Sequence, residues 1–143
     1  MKSGFTLPEV ALALLIAGLL LGIALPRFTA LKQEVAIEQA AQALVSAHRR
    51  ARTLAVASGH PAILSVADRS LRITLSGAAQ PHWLAPGPLA QGIAITGTPR
   101  DLTFSPLGIT TGLSNATFNL TLGSATRSVV VSRLGRIRIL RVP

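Results

Sequence analysis

The sequence predicts an α+β fold: one long N-terminal helix joined to a small antiparallel β-sheet domain. Three observations predict it. Of the 21 residues from Phe5 to Leu25, 16 are apolar, and Val10–Leu25 carries no charge. From Arg27 to about Ala57 the chain is rich in Ala, Gln, Glu, Leu and Arg, which favour helix. Beyond Pro61, short β-prone runs alternate with turn residues. A chain of 143 residues holds one small domain and at most one further element.

The apolar segment comes first. At about 1.5 Å per residue, Phe5–Leu25 makes a helix roughly 31 Å long, close to the ~30 Å hydrocarbon core of a bilayer. A membrane-embedded first half of the helix is therefore expected. A cleaved secretory signal is the competing reading. It has the basic start it needs in Met1-Lys2-Ser3-Gly4, but no A-x-A-like site follows Leu25. Gly18 and Gly22 form a G-x-x-x-G pair that lets helices approach closely, although Gly is also common in membrane helices generally. Pro26 should bend or break the helix, because it lacks the N–H and clashes with the preceding turn. Glu9 lies inside the apolar run, where an acid marks a functional position by default. A carboxylate near a helix N-terminus also serves as a simple cap.

Residues 26–58 form the amphipathic second half. Phe28, Leu31, Val35, Ile37, Ala41, Leu44, Ala51 and Leu54 recur at three- and four-residue steps, with a gap at His48. This stripe should pack on a sheet, leaving Lys32, Glu34, Glu38, Gln42 and Arg49 toward water. Ser58-Gly59-His60-Pro61 stops the helix.

Residues 59–143 form the β domain. Strands are expected at 62–66, 70–75, 92–96, 102–104, 117–122, 127–132 and 136–142. Turn signals separate them, among them Ser76-Gly77, Thr98-Pro99, Gly123-Ser124 and Leu134-Gly135. The Gly/Pro-rich stretch from Ser76 to Gly92 is the expected flexible loop.

Composition narrows the chemistry. The chain has no cysteine, which excludes a disulfide scaffold, a Cys-ligated zinc site and a thiol nucleophile. His48, His60 and His82 lack metal-ligand spacing, and Asp68 and Asp101 are isolated. No phosphate-binding or nucleophile-elbow motif is present. No enzymatic activity and no cofactor are expected.

Gly4-Phe5-Thr6-Leu7-Pro8-Glu9-Val10 resembles the processing signature of type IV pilins and type II secretion pseudopilins. The resemblance implies a leader over residues 1–4, cut by a prepilin peptidase between Gly4 and Phe5, with N-methylation of Phe5. It implies that Glu9 meets the N-terminal ammonium of a neighbouring subunit, as a carboxylate among apolar helices requires a cation. Gly18, Gly22 and Pro26 would then belong to the assembly helix, residues 5–25 and the kink after it. Pro8 departs from the family's usual aliphatic residue, a change the first helical turn tolerates. Further along, Phe104-Ser105-Pro106-Leu107-Gly108 and Gly135-Arg136-Ile137-Arg138 are similar to the GspH/FimT-type minor pseudopilins. That resemblance implies a pilin-like fold and filament assembly with other pilins. It also implies a single pass through the inner membrane, a periplasmic C-terminal domain and a role in protein secretion.

The charge of +9 is unevenly spread. Residues 102–143 hold five arginines, Arg127, Arg133, Arg136, Arg138 and Arg141, and no acid. In a strand Arg136 and Arg138 share a face about 6.5–7 Å apart, and Arg suits bidentate phosphate contacts. In the FimT-like branch the corresponding segment is associated with DNA capture during natural transformation. DNA is thus the alternative partner, held by Arg136 and Arg138 with Arg133 and Arg141 in support. One Trp, four Phe and no Tyr leave little for base stacking. The other reading is a basic surface meeting anionic lipid or an acidic subunit.

Overall fold

A computed structural model describes residues 6–97, 100–112 and 115–141. Helix α1 spans Leu7–Ser58, and the chain divides into two compact units between Lys32 and Gln33. In the first unit, helical residues continue through Pro26, so the expected break is not there. The carbonyl of Pro26 accepts the Thr29 hydroxyl at 2.8 Å, so a side-chain donor reaches the backbone beside the proline. Leu12, Leu14, Leu15, Leu19, Leu20, Leu21, Ile23 and Leu25 are all exposed. An 18-residue window of α1 reaches a mean hydropathy of 2.3, long and apolar enough to cross a membrane.

In the second unit, α1 buries Ile37, Ala40, Ala41, Leu44, Val45, Ala47, His48, Ala51 and Ala55. Five of these are alanine, which lets the helix backbone lie close against its neighbours. His48 fills the gap in the apolar stripe by being buried itself, 2% exposed, edge-on to Phe104 at 4.9 Å between ring centres. Phe28, Leu31 and Val35, expected in that stripe, are exposed.

Among the described residues nine strands follow: β1 Ala62–Val66, β2 Ser70–Leu75, β3 Trp83–Pro86, β4 Ala94–Thr96, β5 Asp101–Phe104, β6 Thr110–Thr111, β7 Ala116–Leu122, β8 Ala125–Val131 and β9 Ile137–Arg141. They form two antiparallel sheets, ordered β3-β2-β1-β5-β6 and β4-β7-β8-β9. A single sheet was the simplest reading of the sequence, and the pairing divides it. Alternation does the sorting: in β7, buried Ala116, Phe118 and Leu120 interleave with exposed Thr117, Asn119 and Thr121. Leu64, Leu71, Ile73, Leu102 and Phe104 of the first sheet join Phe118, Leu120, Val129 and Val131 of the second and the buried face of α1 in one core. Each such large side chain contributes about 1.5–3 kcal/mol on burial. Arg100 ties the sheets together: it donates to the Val66 carbonyl in β1, the Ile95 carbonyl in β4 and the Asp68 carboxylate.

The stretch expected to be a flexible loop is structured. Within it lie β3, registered against β2 from Ser70↔Pro86 to Ile73↔Trp83, and a 3-10 turn, Pro88–Gln91. Gly87 between them donates to the Arg69 carbonyl at 2.9 Å, and a Cβ there would fall 2.5 Å from the Ser70 nitrogen. The Gly and Pro residues serve close approach and fixed turns there. Strand β6 also went unforeseen; its two residues carry too little pattern. Strands β1 and β2 have the expected ends, and those of the remaining expected strands differ by at most two residues. The turn signal Thr98-Pro99 and the end of the last expected strand, Val142, lie outside the described residues.

Candidate functional site

Two places were singled out by sequence, the N-terminal segment and the C-terminal arginines. Gly4 and Phe5 lie outside the described residues. Just beyond them, Thr6-Leu7-Pro8-Glu9 forms the acidic half of a capping box: the Glu9 carboxylate accepts the Thr6 backbone N–H at 2.8 Å and its hydroxyl at 2.7 Å. In the isolated chain Glu9 therefore caps its own helix. Pro8 sits in the first turn, where no backbone donor is needed. At Gly18 and Gly22 an added Cβ would meet nothing within 4 Å.

The arginines are sorted by strand geometry. Ile137 and Ile139 of β9 are half-buried, while Arg136, Arg138 and Leu140 face outward. Arg136 and Arg138 thus do share a face. The loop before them is closed by backbone bonds: Ser132 N donates to the Arg136 carbonyl at 2.8 Å and Gly135 N to the Ser132 carbonyl at 2.9 Å. Gly135 holds φ +73°, which a side chain would resist. The buried Thr110 hydroxyl donates to the Arg133 carbonyl at 2.8 Å and fixes the loop from outside. The result is an open cleft of about 390 Å³ lined by Ser132, Arg133, Leu134, Arg136 and Arg138, all cationic or neutral.

Arg127 and Arg141 behave differently. Arg127 has the parity of Val129 and Val131 in β8, so it points inward, with its side chain 5% exposed. Its Nη2 lies 2.6 Å from Glu34, its Nε 3.2 Å from Glu38, and its Nη1 donates to the Thr126 carbonyl. Burial opposes the charge, but hydrogen bonds and Coulomb attraction from Glu34 and Glu38 outweigh it and raise the pKa above the usual arginine range. Arg141, the cross-strand partner of Arg127, reaches Glu34 at 3.5 Å. Of the five C-terminal arginines, Arg127 and Arg141 are thus opposed by acids from the helix. Glu34 and Glu38, expected to face water, are half-buried instead. Two clues were available: their spacing of one turn, and the inward parity of Arg127.

Phe104-Ser105-Pro106-Leu107-Gly108 is the turn between β5 and β6. Ser105 N donates to the Ile109 carbonyl and Gly108 N to the Ser105 carbonyl. Phe104 is fully buried beneath it.

Known proteins share this fold. The family described as type II transport protein GspH matches residues 40–135, a range that ends just before Arg136. The pilin-like protein PilA1 of Thermus thermophilus is 32% identical over 157 aligned positions, covering 96% of this chain and 98% of that protein. The minor pilin FimU of Pseudomonas aeruginosa superimposes with a TM-score of 0.61 at 22% identity, over 75% of this chain and 88% of that one. The minor pseudopilin EpsH of the Vibrio cholerae type 2 secretion system gives 0.55 at 14% identity, over 73% and 96%. The last two likenesses concern the fold.

Proposed function

Because the chain belongs to the GspH family of minor pilins and pseudopilins, we propose that it is a structural, non-catalytic subunit of a type II secretion pseudopilus or a related type IV pilus. The observation that carries this reading is the exposed apolar span of α1 with Glu9 at its start. Such a span waits in the inner membrane as a single-pass anchor, with the β domain in the periplasm, and later packs among like helices. Glu9 then exchanges its own Thr6 cap for the ammonium of a neighbouring chain. Gly18 and Gly22, open on the isolated helix, let that neighbour approach.

Processing tests this reading. Mass spectrometry of the mature chain should find methylated Phe5 at its start, and Gly4→Ala should block the cut. A mature N-terminus beyond Leu25 would show an ordinary signal peptide instead. Deletion of the gene, scored for exoprotein secretion and for DNA uptake, assigns the filament system.

A second reading, DNA capture for natural transformation, is favoured by Arg136 and Arg138, which share an outward face beside a cleft whose described lining holds no acid. Arg141 supports it less, since Glu34 already faces it. Full-length protein in detergent should bind duplex DNA in a salt-sensitive, sequence-independent way. Arg136→Ala with Arg138→Ala should weaken it strongly. Unchanged binding in that variant dismisses the cleft, and no binding at low salt dismisses the DNA reading.

A further inference from the structure

We propose that a groove between the second half of α1 and the edge strand β3 docks an acidic, aliphatic segment of another protein. The groove holds about 620 Å³ and follows one face of the helix from Gln42 to Ala57, a length of about 22 Å. Of its lining, Val45, Leu54 and Trp83 are buried or half-buried and form the floor, while Arg49, Arg50 and His82 are exposed around it. The Arg50 guanidinium lies over the Trp83 ring, 5.2 Å from its centre, a cation–π stack that holds the charge at the groove. A second cleft shares Arg49 and brings in Arg52 and Val56. Among the described residues neither cleft has an acid in its lining. The chain has placed acids elsewhere: Glu34 and Glu38 on Arg127, and Asp68 on Arg100.

Charge complementarity makes the occupant acidic. The floor decides its class. Two aliphatic side chains and one indole suit aliphatic side chains from a protein segment. A single nucleic-acid strand held by base stacking needs successive aromatic faces, and the one indole in this groove is already under Arg50. Strand β3 also ends its sheet, so no strand flanks its outer side in the sheet order. The site is separate from the C-terminal arginines and holds whichever filament system the chain serves.

Trp83 is the only tryptophan, so its fluorescence reports the groove directly. Full-length protein in detergent micelles is titrated with a short peptide of alternating Leu and Glu, and in parallel with oligodeoxythymidylate. The peptide should change Trp83 emission saturably. Arg49→Gln with Arg50→Gln should raise Kd about tenfold or more, while Arg49→Lys with Arg50→Lys keeps most of the binding. Arg136→Gln with Arg138→Gln should leave the peptide titration unchanged. The proposal is overturned if wild-type emission does not respond to the peptide, or if the glutamine pair binds as well as wild type. It is equally overturned if only the oligonucleotide responds, which would make the groove a nucleic-acid site.

Discussion

Removing the acids around Arg127 should cost more stability than removing Arg127 itself. The asymmetry follows from burial. The Arg127 side chain is 5% exposed, whereas Glu34 and Glu38 are 43% and 44% exposed. Glu34→Ala with Glu38→Ala strands a buried guanidinium that keeps its hydrogen bond to the Thr126 carbonyl at 2.9 Å. An uncompensated buried charge costs about 3–5 kcal/mol. Arg127→Met instead leaves two carboxylates that water can reach, and the methionine stem refills much of the space. Its cost is the loss of two charge-assisted hydrogen bonds, discounted for solvent screening, plus a weak one-turn repulsion, about 1–2 kcal/mol together. For a domain of this size the acid pair should lower Tm by about 10–15 °C and Arg127→Met by about 3–6 °C. The triple variant Glu34→Gln, Glu38→Gln, Arg127→Met should recover most of the loss. Thermal unfolding by circular dichroism in micelles measures all three. If Arg127→Met proves as damaging as the acid pair, packing rather than charge holds that site.

His48 should make the fold acid-sensitive. Burial first, then the charges of Arg52 and Arg49, lower its pKa to about 4 from 6.5. Below pH 6.5 the unfolded chain takes up a proton that the folded chain refuses. The stability contribution is therefore complete above pH 6.5 and is lost as pH falls toward 4, about 3 kcal/mol in all. His48→Leu should flatten that part of the Tm–pH curve, and an unaltered slope would contradict the assignment. Gly87→Ala should push against Ser70 and Asp68 backbone atoms at 2.5 and 2.6 Å and cost about 1–3 kcal/mol. Red-shifted Trp83 emission would register β3 leaving β2; emission and Tm matching wild type would count against the close approach. Thr110→Val removes the hydroxyl that holds the Arg133 carbonyl, about 1 kcal/mol. Hydrogen exchange at the Gly135 amide should quicken, and an unchanged rate would deny Thr110 its clamping role.

The legible parts of the fold were those written in local pattern. The apolar run to Leu25, the helix stop at Ser58-Gly59 and the strands β1, β2 and β7 rest on composition and periodicity within a few residues. Strand β3 was missed because its four residues, set among Gly and Pro, acquire strand character only from the partner edge of β2. His48 looked like a gap because a histidine interrupts an apolar stripe by type. In the fold it packs on Phe104 and behaves as an apolar residue.

By itself the sequence determined the α+β class, a helix long and apolar enough for a membrane, the leader-like motif, and Arg136 and Arg138 on one face. These are properties of neighbours along the chain. Tertiary structure decided that the strands divide into two sheets. It also decided that Glu34 and Glu38 neutralise Arg127, 93 and 89 residues away, and that Arg50 and Trp83 meet in a groove. The physical reason is that charge and exposure belong to positions in space. A count of arginines along the last strands gives the charge available, and only the packing of the helix shows which of it faces a partner.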